Sequence, residues 1–362
     1  MTDPSERELI RAASRRLGGH GPIEPSELLA ATAEWCQEQS VGLDPYGEGA
    51  ITAEFENKVA GLLSMPAGRF FPSGTMAQQV ALRVWTERAG NPQFAMHPTA
   101  HLELHEQHGY RHLHRLRATL LGPADAPLLA EHFGALGEPV AALLIELPIR
   151  EAGGQLPTWD QLEELKAKVA ERDTRLHLDG ARLWECAAHY GRSYADICAG
   201  FDSVYVSFYK GIGALSGAML LGSEDFIEEA AVWQRRSGGN LFTMAPNVAS
   251  AAMQLDRRLE KMPAYYRRAT TLATTLSAIE GVSVIPDPPH TNLFHVALAV
   301  EAETAKDRRD QVARETGLWL FGGVEPDGEN ACRLELYIGD AALEVEDTEA
   351  ASAFSAIVTN RK

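Results

Sequence analysis

The stretch that decides the fold is Val204-Tyr205-Val206-Ser207-Phe208-Tyr209-Lys210-Gly211-Ile212-Gly213. A β-rich run ends in a lysine, and a glycine-rich turn follows. A second strand-like run, Arg175-Leu176-His177-Leu178, ends at Asp179-Gly180-Ala181-Arg182, 31 residues before the lysine (210 minus 179). Working outward, apolar runs alternate with helical patterns. Val140 to Leu147 reads as a buried strand, and Trp159 to Arg172 as an amphipathic helix with Leu162, Leu165 and Val169 on one face. Ala218-Met219-Leu220-Leu221 is a further apolar run. Such alternation predicts an α/β fold with a mainly parallel sheet and helices on both faces. Ligands of these sheets sit at the carboxyl ends of the strands, where Ser73, Asp179 and Lys210 all fall.

A strand-end Asp paired with a strand-end Lys is the arrangement that holds pyridoxal 5'-phosphate (PLP). The lysine forms a Schiff base with the aldehyde, and the aspartate keeps the pyridine nitrogen protonated so that the ring takes up electrons. Burial of a lysine favours its neutral, nucleophilic form. Read by itself, Lys210 is equally compatible with a surface lysine that follows a strand.

Ser73-Gly74-Thr75 joins the Phe70-Phe71 run to a helical stretch, Met76 to Thr86. Backbone N–H groups at a helix start suit a phosphate, and Gly74 lets the backbone approach it closely. The bland alternative is a plain N-cap. His101 lies among His97, His105, His108, His112 and His114. The i, i+4 spacing of His101 and His105 allows a shared helix face. No H-E-x-x-H pattern accompanies them, and no metal is expected. His101 is the flat ring suited to stack on the cofactor, and His105, one turn on, would face the same cavity. Arg182 sits three residues after Asp179. Arg333 lies in a late apolar strand, where a charge needs a partner. A substrate carboxylate would serve, as would Glu335 or another acid in an internal ion pair.

The chain has 362 residues, enough for about two domains. The expected division is an N-terminal helical segment over 1–45, a large PLP-binding domain over 46–250 and a small C-terminal α/β domain over 251–362. Beyond a helical stretch from Pro246 to Arg258, the small domain is expected to hold a helix to about Glu280 and strands at 282–285, 292–296 and 332–337. A helix is expected over 303–316. The net charge of −17 argues against nucleic-acid partners and anionic membranes. No apolar run is long enough to span a bilayer. Cys36, Cys186, Cys198 and Cys332 form no C-x-x-C pair, which suits a reducing cytoplasm. The start, Met1-Thr2-Asp3-Pro4-Ser5-Glu6-Arg7-Glu8, lacks the basic and then apolar blocks of a signal peptide, so a cytoplasmic protein is expected.

Several of these runs resemble the low-specificity threonine aldolase and β-eliminating lyase family, of PLP fold type I. They are Tyr46-Gly47-Glu48, Phe71-Pro72-Ser73-Gly74-Thr75-Met76-Ala77, His101 with Glu106, His177-Leu178-Asp179-Gly180-Ala181-Arg182-Leu183, Asp202-Ser203-Val204 and Lys210-Gly211-Ile212-Gly213-Ala214. The resemblance covers about 45–260 well and the remainder thinly. It implies Lys210 as the Schiff-base lysine, Asp179 on the pyridine nitrogen and Arg182 on the ring hydroxyl. It further implies Ser73, Gly74 and Thr75 on the phosphate, His101 stacked on the ring and Ser207 among the cofactor-binding residues. Arg333 would grip the carboxylate of an amino-acid substrate. Arg235 or Arg236, before Ser237-Gly238-Gly239, matches a basic pair near the family's subunit interface, which implies a homodimer or homotetramer.

The departures concern the reaction. The family's N-terminal Asp-Leu-Arg-Ser-Asp-Thr-type run is missing, and Glu335-Leu336 replace its late Thr-His. Its Glu-Asn-Thr-His-type run, whose histidine contacts the substrate hydroxyl, reads Glu146-Leu147-Pro148-Ile149-Arg150-Glu151 here, and Tyr209 replaces the usual serine before the lysine. The activity implied is retro-aldol cleavage of a β-hydroxy-α-amino acid to glycine and an aldehyde, with His105 or a phosphate-bound water as the base. Racemisation or β-elimination, initiated by Lys210 or Tyr209, is the alternative. A fold member that lost activity and serves as a binding module is the third reading, against which the intact Lys210 and Asp179 speak.

Overall fold

A computed structural model describes residues 4–21 and 24–359. Met1–Asp3 of the N-terminal run and Pro22, the end of a break expected around 18–22, lie outside the described residues. The chain forms two compact units. One comprises residues 24–151 and 156–260, the other residues 1–23, 152–155 and 261–362.

The first unit is built on a seven-stranded sheet. Its strands in chain order are β1 (Ala67–Phe71), β2 (Gln93–Met96), β3 (Arg117–Leu120), β4 (Ala142–Glu146), β5 (Arg175–Gly180), β6 (Ser203–Ser207) and β7 (Ala218–Gly222). Their spatial order is β1-β7-β6-β5-β4-β2-β3. The four pairings among β3, β2, β4, β5 and β6 are parallel, whereas β7 runs antiparallel to both neighbours. Strands covered on both faces read as continuous apolar runs, as Ala142-Leu143-Leu144-Ile145 does. Val80, Leu82, Phe94, Met96, Leu144 and Leu220 are fully buried in one core cluster. Each such side chain contributes about 1.5–3 kcal/mol by leaving water.

Helix α1 (Gly74–Ala89) leads away from the end of β1. Ser73 is its N-cap, extended at φ −147°, and its Oγ accepts the Met76 N–H at 3.3 Å. Gly90, left-handed at φ +59°, ends it. Two further helices match the patterns closely: Trp159–Ala170 and Ala302–Thr316. One stretch differs. The two helices expected over 246–258 and up to about 280 are a single 33-residue helix, Ala245–Ser277, with Pro263 inside it. Apolar residues recurring on one face, Leu255, Met262, Ala269, Leu272 and Leu276, are buried along its length, which outweighs the one hydrogen bond proline removes.

The second unit holds a four-stranded antiparallel sheet of β8 (Val282–Ile285), β9 (Leu293–Leu298), β10 (Val324–Pro326) and β11 (Cys332–Tyr337), in the order β10-β11-β9-β8. The N-terminal stretch is not purely helical. Arg15–Arg16 pairs in parallel with Leu318–Trp319, between helices Pro4–Ala12 and Pro25–Glu38.

Candidate active site

The carboxyl ends of β4, β5 and β6 and the N-terminus of α1 converge on one cleft of about 460 Å³. Of the residues singled out from sequence, Gly74, Thr75, His101, Asp179, Arg182 and Lys210 line it. Residues as far as 136 positions apart (210 minus 74) meet because parallel strands deliver their ends to one edge. Asp179 closes β5, is 2% exposed, and its Oδ1 accepts the Ala181 N–H at 3.1 Å. Burial pushes its carboxyl up to about 6, opposed by that N–H and by His101 and Lys210. Arg182 donates to Glu185 at 3.3 Å. His101 Nδ1 lies 3.0 Å from Glu106 Oε1, and Glu106 Oε2 accepts from Gln79 at 2.9 Å. That carboxylate accepts the Nδ1–H, which leaves Nε2 as the acceptor nitrogen of the ring.

Four expected residues stand elsewhere. Ser73 does not line the cleft, because its Oγ is committed to the cap of α1. Ser207 is fully buried. Its Oγ donates to the Ala181 carbonyl at 2.8 Å, which fixes the turn that carries Asp179 and Arg182. His105 lies behind His101, ring centroids 5.1 Å apart, and its Nε2 meets Glu151 Oε1 at 2.8 Å. Arg333 belongs to the second unit. On β11 the buried residues are Cys332, Leu334 and Leu336, so strand alternation turns Arg333 to the other face, 4.0 Å from Glu325. Its charge is therefore not embedded in apolar core, and an exposed pair of this kind contributes about 0–1 kcal/mol.

The cleft also contains Tyr209, which the sequence reading named for the alternative reactions, and groups that it did not single out: Gln78, Glu146, Arg150 and Tyr205. Glu146 ends β4 directly opposite Asp179. Its Oε1 accepts the Arg150 N–H at 3.2 Å, and its buried Oε2 has no hydrogen-bond partner among the described residues. Burial, and then the neighbouring Asp179, pushes this carboxyl up to about 8. Gln78 is held from below by His177, whose Nε2 lies 2.7 Å from Gln78 Oε1 and whose Nδ1 lies 2.7 Å from Ser203 Oγ. Burial drives that imidazole down to about 3, so it is neutral. An acidic strand end beside the Asp-Gly-Ala-Arg run was the available signal for Glu146. Among the described residues no group of three or more His, Cys, Asp or Glu is placed to hold a metal.

The donor set matches PLP: an amine and a buried carboxylate at neighbouring strand ends, an imidazole, and helix N–H groups for a phosphate. Fold and site together define a PLP-dependent enzyme of fold type I. The family model described as beta-eliminating lyase matches residues 29–301, and the chain belongs to that family. It is 30% identical over 304 residues to the low-specificity L-threonine aldolase of Eremothecium gossypii, covering 78% of this chain and 75% of the relative. Two solved structures cover 97% of this chain and 98% of their own. One, provisionally assigned as an L-allo-threonine aldolase of Listeria monocytogenes, is 40% identical with a TM-score of 0.91. The other comes from Exiguobacterium and is provisionally assigned as an aromatic amino acid beta-eliminating lyase/threonine aldolase, 38% identical with a TM-score of 0.92.

Proposed function

We propose that the protein cleaves threonine-type β-hydroxy-α-amino acids to glycine and an aldehyde. The observation that carries this is the convergence of Lys210, Asp179 and His101 on one cleft in a chain of this family. PLP, when bound, supplies the electron sink for the Cα–Cβ bond that breaks. Lys210 would hold the cofactor through its amine, Asp179 would accept the pyridine N–H, and Arg182 would pair with the ring hydroxyl. Thr75 would present its N–H to the phosphate at the turn that Gly74 opens, while Ser73 shapes that turn by capping it. Ser207 acts on the backbone of the Asp179–Arg182 turn. His101 would lie against the ring, and its Nε2 would take the β-hydroxyl proton, with Glu106 stabilising the imidazolium that forms.

Racemisation or β-elimination is the second reading. The lack of a histidine between Glu146 and Glu151 and the phenol beside Lys210 favour it. Incubation with a panel of amino acids decides between them. Equimolar glycine and aldehyde from threonine or allo-threonine supports the proposal. Opposite enantiomer, or keto acid with ammonia, in its place overturns it.

The exposed Phe242 and Tyr46, rings 5.5 Å apart edge to face just beyond Arg235–Gly239, support a homodimer or homotetramer. The scattered free cysteines support the cytoplasm as its compartment. No helix among the described residues is long and apolar enough to cross a membrane.

A further inference from the structure

Two phenols press on the first residue of α1. A β-carbon at Gly74 would overlap Tyr205 Oη and meet Tyr209 Oη at 2.9 Å. The two hydroxyl oxygens are 3.5 Å apart, and the Gly74 N–H addresses the Tyr209 oxygen. Tyr205 is buried, whereas Tyr209 is 38% exposed, and both line the cleft. Burial raises both phenols, so each keeps its proton at neutral pH and remains a donor. Tyr209 thus carries an O–H proton to the N-terminus of a 16-residue helix, its oxygen accepting the first N–H. Lys210, the next residue, has its Nζ 5.5 Å from the Tyr209 ring centroid, so amine and phenol occupy the same end of the cleft.

We propose that the Tyr209 hydroxyl donates a hydrogen bond to the phosphate of PLP, with Tyr205 packed behind it to hold the ring in place. The inference rests on the placement of that phosphate at Gly74 and Thr75. It assigns the residue that stands where the family has serine, and it makes phosphate binding here a shared task of helix N–H groups and a phenol. A hydrogen bond to a charged group is among the stronger ones.

The test is to titrate cofactor-free protein, unaltered and as Tyr209→Phe, with PLP and with pyridoxal, which lacks the phosphate. Affinity for PLP should fall about tenfold or more, while affinity for pyridoxal stays unchanged. Tyr205→Phe should weaken PLP less than Tyr209→Phe does. Inorganic phosphate should raise the melting temperature of the cofactor-free protein, and raise that of Tyr209→Phe less, a comparison that also verifies folding. Equal losses for PLP and pyridoxal, or no loss for either, would overturn the assignment. If the unaltered protein binds neither, the PLP reading itself fails, which is a separate outcome.

Discussion

Glu146 and Asp179 face each other across neighbouring parallel strands, two carboxyls at the floor of one cleft. Burial and the presence of Asp179 push Glu146 up to about 8, and burial pushes Asp179 up to about 6. Near neutrality Glu146 keeps its proton and Asp179 is the ionised member. The pair thus holds its negative charge on the side chain placed for the pyridine nitrogen.

This has a measurable consequence for stability. The ordinary value for Glu is 4.5, below the folded value of about 8, so the unfolded chain loses this proton first. Folding takes up a proton between those limits, and stability falls as pH rises from about 4.5 to about 8. The Asp179 contribution levels off near 6, and Glu146 acts between 6 and 8 together with Glu56, which burial pushes up to about 7. Cofactor-free Glu146→Gln should therefore show a flatter melting temperature between pH 6 and 8 than the unaltered protein. Parallel curves in that window would show that Glu146 is ionised throughout.

Gly74 tests the close approach at the head of α1. In Gly74→Ala the methyl overlaps the Tyr205 hydroxyl. Urea unfolding should show a loss of about 1–3 kcal/mol, the usual cost of overpacking. PLP affinity should fall with it, because both phenols and the helix N–H groups shift. Unchanged stability would mean that the phenols move aside freely.

The histidine pair separates two roles. His101 lines the cleft with Nε2 as acceptor, whereas His105 is bound to Glu151 and stands behind it. His101→Ala should lower kcat for glycine formation by about 10²–10⁴-fold, the range of a general base, and weaken PLP. His105→Phe should lower kcat by less than about tenfold, below that range, and leave PLP affinity unchanged. The larger loss in His105→Phe would return the base to the residue that the i, i+4 spacing suggested.

The cleft positions of Asp179 and Lys210 were legible because these residues sit in punctuated places. Each follows a short apolar run and precedes a turn, so chemistry and strand end coincide in the sequence. Glu146 and Tyr205 were harder to read. The first looks like the polar end of a buried strand, and the second like one more strand aromatic. Only the register of β4, β5 and β6 shows that both face the cleft. His105 was placed in the cavity by helical spacing; its N–H does bond the His101 carbonyl and the two rings are neighbours, but its Nε2 is taken up by Glu151. The long helix through Pro263 was missed for a related reason, since local punctuation yields where burial of one face continues. Arg333 was judged by the apolar character of its strand, whereas alternation on β11 decides its environment.

The most direct test of the account is reduction of the purified protein with borohydride in the presence of PLP, followed by peptide mapping. A pyridoxyl group on Lys210, in about one copy per chain and absent from Lys210→Ala, is the expected result. A label on any other lysine, or none, would contradict the assignment of the cleft formed by Asp179, His101 and Lys210.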